Sequence, residues 1–276
     1  MKSQEHVARR MQRLVEPIHL VSYLSEEPTE ALMALGLRNY WDGYFASRAA
    51  PLGRVPAGVV HAVFYNFADG EVARHIPRVW DTVTPEAALA AREQGAVKAL
   101  RRILGDLADT PGLARAADLA TKAAAGAPTE GRTLFAALRT VPVPEEPVAR
   151  LWHAATMLRE YRGDGHIAAL VAEGIGGTEA HVLHALSMDM PAEKFGRVHH
   201  LPAEQLAAVV EGLRARGLVE DSGWFSDAGR ACKARIESLT DELAAPAYER
   251  LAPGELDQLA ADLEPISSAL EAAGSQ

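Results

Sequence analysis

The stretch Leu213-Arg-Ala-Arg-Gly-Leu-Val-Glu-Asp-Ser-Gly-Trp-Phe-Ser-Asp-Ala-Gly-Arg230 decides the fold. A helix running from Pro202 to Arg216 is closed by Gly217, because a glycine just past the last helical residue takes up the left-handed conformation that a helix end favours. Leu218-Val219-Glu220, Asp221-Ser222-Gly223 and Trp224-Phe225-Ser226 then spell strand, turn and strand, the one convincing hairpin signal in the chain. Two shorter helices are expected upstream, one from Thr178 to about Met188 and one around Pro191–Val198. Three helices followed by a hairpin make a winged helix.

Outward from this stretch, apolar residues recur at helical spacing through most of the chain, as in Leu206, Val209, Val210 and Leu213, and β-branched runs are scarce. The expected fold is mostly α. With 276 residues there is room for two units at the usual ~100–200 residues each. Proline and glycine punctuate Ala125-Gly-Ala-Pro-Thr-Glu-Gly131 and, less sharply, Val141-Pro-Val-Pro-Glu-Glu-Pro147, which places a boundary between 1–127 and 128–276. The halves correspond. Ser25-Glu-Glu-Pro28 matches Pro144-Glu-Glu-Pro147 ahead of a helical pattern, and a nearly constant displacement pairs Asp42-Gly43 with Asp164-Gly165, Ala46 with Ala168, Ala50 with Ala172 and Val60 with Val182. An internal duplication is expected.

Leu213-Arg-Ala-Arg-Gly-Leu-Val219 before the hairpin and Phe225-Ser-Asp-Ala-Gly-Arg230 after it resemble the MarR winged-helix superfamily. Two helices, about 228–243 and 253–270, resemble that family's C-terminal dimerisation helices. The run from Asp241 to Leu251, Tyr44-Phe-Ala-Ser-Arg-Ala-Ala-Pro-Leu-Gly53 and Leu158-Arg-Glu-Tyr-Arg-Gly-Asp-Gly-His166 are similar to an actinobacterial helix-turn-helix subgroup over nearly the whole chain. The resemblance implies symmetric homodimers, so a duplicated chain is expected to fold as a single-chain pseudo-dimer and to work as a monomer. Its first, degenerate copy would use Pro56–Ala68, Gly70–Trp80 and Thr84–Gly105, with no wing, because no hairpin signal follows Gly105.

The net charge of −9 and sequence pI near 5.6 demand a local basic patch if nucleic acid is the partner. Helix 202–213 instead offers the groove Ala203, Glu204, Ala207, Ala208 and Glu211, and the wing 220–227 carries three acids and no base. Lys194, Arg197, His199 and His200 precede it, and Arg92, Lys98, Arg101 and Arg102 form a basic run in the first copy. DNA is therefore a possible partner that the residues disfavour, and a small-molecule ligand is the expected one. No segment approaches the ~18 apolar residues of a membrane span, the opening residues are charged, and Cys232 is the only cysteine. These features point to a cytoplasmic chain with no membrane partner and no thiolate cluster.

The strongest constellation is Leu151-Trp-His-Ala-Ala-Thr-Met-Leu-Arg-Glu-Tyr-Arg-Gly-Asp-Gly-His-Ile167, which sets Trp152, Arg159, Arg162, Asp164 and His166 on one helix beside Gly165. Its counterpart Tyr40-Trp41-Asp42-Gly43-Tyr44-Phe45 is aromatic and is followed by Arg48. Packed by equivalent helices, the two segments would line a shared cavity in which Tyr40, Trp41, Tyr44, Arg48, Trp152, Arg159, Arg162, Asp164 and His166 bind a ligand. The competing expectation is a buried ion-pair network among Arg159, Arg162, Asp42 and Asp164. The spacing of His181 and His184 lacks the further ligands of a metal site. Nucleotide and hydrolase motifs are absent, so no metal or cofactor is expected. The alternative function is a cofactor-independent enzyme using a His166–Asp164 or His153–Glu160 pair for acid–base chemistry on a small metabolite.

Overall fold

The computed structural model describes residues 6–195 and 201–274, and the chain is mostly helical. In order come α1 (Val7–Leu24), α2 (Glu26–Met33), α3 (Tyr40–Ala49), α4 (Ala57–Phe64), α5 (Pro85–Leu104) and α6 (Pro111–Gly126). They are followed by α7 (Thr133–Leu138), α8 (Pro147–Ala172), α9 (Gly177–Ser187), α10 (Ala203–Ala215), α11 (Asp227–Ala244) and α12 (Pro253–Gly274). Local chemistry sets the ends. Thr84 and Thr110 each stand before a proline, and each hydroxyl accepts a backbone N–H of the first turn, from Ala87 at 3.2 Å and from Leu113 at 3.3 Å. Proline suits that position because its missing N–H has no helical partner to lose.

Contacts divide the chain into two compact units that interleave along the sequence: residues 1–55, 75–164 and 241–276 form the first, and 56–74 and 165–240 the second. The first unit is built on small residues. Ala88, Ala91, Gly95, Ala96 and Ala99 line the buried side of α5, and Ala116, Ala117, Ala120, Ala123 and Ala124 that of α6. Small side chains let helix axes approach: a Cβ on Gly95 would stand 2.3 Å from the Cα of Pro28 in α2. Around them pack Met11, Val15 and Ile18 of α1 and Leu259, Leu263 and Ile266 of α12.

The second unit holds α4, α9, a single helical turn at Ala192–Lys194, α10 and the greater part of α11. Its core includes Val60, Phe64, Val182, Leu186, Leu206, Leu213, Val219, Phe225 and Ile236. Gly177, the first residue of α9, lies against the Tyr65 carbonyl, which a Cβ would meet at 2.1 Å. The helix order expected after Thr178 is present: α9, a turn, then α10 closed by Gly217 at φ 71°. Leu206 and Leu213 are buried as expected, while Val209 and Val210 are half-buried.

Two expectations are corrected. The wing hairpin reduces to one antiparallel bridge, Val219 with Phe225, flanked by hydrogen bonds from Glu220 N to Trp224 O at 2.8 Å and from Ser226 N to Leu218 O at 3.1 Å. No strands extend from it because both ends are already committed: Gly217 terminates α10, and the Ser226 hydroxyl accepts the Gly229 N–H at 2.9 Å in the first turn of α11. Duplicated halves forming a pseudo-dimer are also not what the contacts define. Of the elements assigned to the first copy, α4 belongs to the second unit and α5 to the first, so the first copy does not form a body of its own. The part of the expected helix Pro191–Val198 beyond Phe195 lies outside the described residues.

Candidate functional site

Within the first unit, α8 is buried on every side: Leu151, Trp152, His153, Thr156, Met157, Leu158, Glu160 and Tyr161 are all inaccessible. A helix with no solvated face must satisfy its polar side chains internally. Glu160 is the centre of that arrangement. Its carboxylate accepts Nε and Nη2 of Arg48 at 3.2 and 3.1 Å and Nη1 of Arg159 at 2.9 Å. Arg159 also reaches Glu16 at 3.6 Å, and Arg48 donates to the Tyr44 hydroxyl at 3.0 Å. Burial pushes the Glu160 carboxyl upward, but the two guanidiniums outweigh it and hold the group well below the usual range. Next to it, His19 Nδ1 lies 3.1 Å from Thr156 Oγ1; burial first and then Arg159 and Arg92 hold this imidazole neutral.

The other expected site residues disperse around this centre. Tyr40, Trp41 and Tyr44 form an edge-packed cluster with Tyr23 and Phe45 on α3 and α1. Arg162 pairs with Asp241 at 2.9 Å, sharing it with Arg9 at 2.6 Å. The Asp164 carboxylate accepts the Phe135 N–H at 3.0 Å, and burial raises its pKa to about 6. Asp42 takes His75 at 2.7 Å and Arg78 at 2.6 Å. In the second unit, His166 Nδ1 lies 2.9 Å from Thr240 Oγ1. The ion-pair expectation is thus realised with other partners: Glu160, Glu16 and Asp241 supply the carboxylates. Neither acid–base pair forms, since Glu160 is held by arginines, and Asp164 and His166 have other partners.

Trp152 turns elsewhere. Its Nε1 donates to Ser22 Oγ at 2.9 Å, and its ring forms one wall of a cavity of about 320 Å³ between α5, α8 and the segment 141–144. Leu89, Leu138, Val141 and Val143 make that cavity apolar, and Arg92, His153 and Thr156 give it a polar floor. The guanidinium of Arg92 stands 5.5 Å from the ring centres of both Tyr23 and Trp152 and donates to Tyr23 OH at 3.0 Å; its Nε has no partner. His153 is buried with Nε2 also unpartnered, and burial followed by the charge of Arg92 lowers its pKa to about 4. In the sequence Arg92 belongs to one basic run with Lys98, Arg101 and Arg102, of which it alone is buried. The signal for its burial is spacing: Arg92 falls on the same helical stripe as Ala88, Gly95, Ala96 and Ala99, so it faces inward.

The segment expected from the sequence to form the winged helix belongs to the second unit. α10 exposes Glu204, Gln205, Ala207, Ala208 and Glu211, and its cations are occupied. Arg214 pairs with Glu211 and approaches Asp221 at 3.5 Å, and Arg216 pairs with Glu179 at 3.0 Å. Arg230 and Arg235 pair with Asp227 and Glu173 at 2.6 and 2.8 Å. Arg197, His199 and His200 lie outside the described residues. Of the basic run in α5, Lys98 stands 3.8 Å from Glu30, Arg101 pairs with Asp109 and Glu146, and Arg102 with Glu27 at 2.5 Å. His181 Nε2 is hydrogen-bonded to the Asn66 carbonyl, and among the described residues no three His, Cys, Asp or Glu side chains converge.

A family model described as a helix-turn-helix family matches residues 8–276. The chain belongs to that helix-turn-helix family. No curated protein and no solved structure matches it. In this helix-turn-helix protein the matched residues take in, among the described residues, every α-helix except the first residue of α1, so the segments that line the cavity on α8 lie within the match as α9 and α10 do. Among the described residues no helix is long and apolar enough to cross a membrane.

Proposed function

We propose that the chain is a cytoplasmic, small-molecule-binding member of its helix-turn-helix family, a MarR-like regulator in which the DNA contacts of α10 have weakened. One observation carries the ligand-binding reading. The cavity in the first unit is walled by apolar side chains and floored by buried polar groups, two of which, Arg92 Nε and His153 Nε2, have no partner in the protein. Ligand sites combine those features, and a volume near 320 Å³ falls at the lower end of their range of ~300–1,000 Å³. The weakened DNA contact is supported by α10, where exposed Glu204 and Glu211 face outward and each arginine already holds a carboxylate.

Membership of a helix-turn-helix family favours a second reading, direct DNA binding, in which a partner or ligand changes how α10 is presented. The two readings separate on the same preparation. Native mass spectrometry of freshly purified chain is expected to reveal a co-purifying small molecule, or a purified-metabolite screen to raise the melting temperature. Duplex DNA at physiological salt is expected to do neither. Tight duplex binding with no small molecule found by either route overturns the proposal in favour of the second reading. A single chain is taken as the working unit; light scattering that gives a dimer melting only as it dissociates overturns that part.

A further inference from the structure

We propose that the cavity on α8 takes an organic monoanion, a carboxylate carried on a compact apolar body, with its charge set against Arg92 and its body against Leu89, Leu138, Val141 and Val143. The proposal rests on the ligand-binding reading above and adds the class of ligand.

The argument is one of unmatched charge. The other buried or half-buried arginines of the first unit's interior have oxygen partners suited to a cation. Arg48 and Arg159 hold Glu160, Arg162 holds Asp241, and Arg132 donates to the Tyr161 and Leu243 carbonyls at 2.6 and 2.7 Å. Arg92 is as deeply buried, at 2% exposure, yet its hydrogen bonding is limited to one phenol, with two aromatic faces beside it. A guanidinium does not shed its proton to escape burial, and aromatic faces offset only part of the lost hydration. An arginine kept charged, buried, short of a partner and at the floor of a cavity is arranged for an anion that comes from outside.

The surroundings narrow the class. Glu93 borders the cavity, its carboxyl pushed up first by burial and then by the nearby Glu146, so a second negative charge on the ligand would meet acid at the rim. His153, neutral at physiological pH, adds a hydrogen-bonding nitrogen without adding charge. Thr156 and Trp152 are already engaged with His19 and Ser22, which leaves Arg92 and His153 as the free polar atoms of the floor. One charge, one neutral hydrogen bond and four aliphatic walls describe a simple organic acid better than a phosphate, a sugar or a peptide.

The test compares hexanoate, cyclohexanecarboxylate and benzoate with their own amides, by calorimetry on the full chain. The acids are expected to bind and the amides to bind at least about ten-fold more weakly, since charge-assisted bonds to a guanidinium are lost. Arg92→Met is expected to reduce acid binding to the level of the amide while melting no lower than the wild type in the absence of ligand. Acids and amides binding equally, or Arg92→Met retaining the affinity for acids, overturns the monoanion proposal and leaves the ligand-binding reading standing. Inorganic phosphate binding as well as the acids overturns it too. If neither acids nor amides bind, the monoanion proposal falls, and if nothing co-purifies either, the ligand-binding reading falls with it. The acid–amide comparison uses the wild-type chain, so it decides the matter even if Arg92→Met does not fold.

Discussion

Arg48 and Glu160 form a buried bidentate pair, Nε and Nη2 on the two carboxylate oxygens at 3.2 and 3.1 Å, between α3 and α8. Both side chains are almost inaccessible, and Arg159 shares the same carboxylate.

Glu160→Gln is therefore expected to strand two buried guanidiniums and to cost about 3–5 kcal/mol. The double replacement Arg48→Met with Glu160→Leu removes the pair together and is expected to recover much of that loss, though Arg159 then depends on Glu16 alone. Urea denaturation of the three proteins measures both. A Glu160→Gln chain as stable as the wild type would mean that the pair is not formed in solution.

Asp164 gives a pH signature. Its folded pKa, raised to about 6 from 3.8 by burial, lies above its unfolded value, so the folded state holds the proton more tightly. Its contribution is then fully favourable below about pH 4 and is lost as pH rises through 6. A displacement of that size corresponds to roughly 2–3 kcal/mol. Asp164→Asn keeps an oxygen for the Phe135 N–H and loses the titration, so it is expected to stabilise the chain at pH 7.5 and to change little at pH 4. His153, lowered to about 4, contributes stability that is lost as pH falls through the same window, which is why the comparison is made between variants and not along one curve. Equal stability of Asp164→Asn and wild type at both pH values would refute the assignment.

Two glycines predict opposite signs. Gly95→Ala puts a methyl 2.3 Å from the Pro28 Cα, against backbone that has no easy retreat, and is expected to cost ~1–3 kcal/mol or more from overpacking. Gly212→Ala, in the interior of α10 with nothing within 4 Å, is expected to gain ~0.5–1 kcal/mol because alanine loses less entropy in a helix. Thermal melts that rank the two variants the other way would contradict the packing of α5 on α2.

For DNA, fluorescence anisotropy with random duplex is expected to show weak binding even at low salt, and a shallow dependence on salt, because few cations are available to displace counterions. Tight binding at ~150 mM salt that disappears in Arg101→Ala/Arg102→Ala would show that those arginines leave Asp109, Glu146 and Glu27 for phosphate.

What the sequence determined by itself was what local forces fix. Helical periodicity, the threonine–proline starts at Thr84 and Thr110 and the glycine stop at Gly217 are legible because each acts within a turn or two of its own position. α9, α10, α11 and α12 accordingly lie where their patterns put them. The helix-turn-helix membership was legible for the same reason, through contiguous residues. The sequence also marked α8 and α3 as the places where costly polar residues gather. Only the tertiary structure decided their partners, since Glu160 for Arg48, Asp241 for Arg162 and Tyr23 for Arg92 come from segments 69 to 112 residues away, and nothing in a linear pattern encodes such a meeting. The interleaved units and the loss of the wing's strands were decided there too, because burial of an apolar face is settled by whichever element packs against it, not by the order in which elements are made.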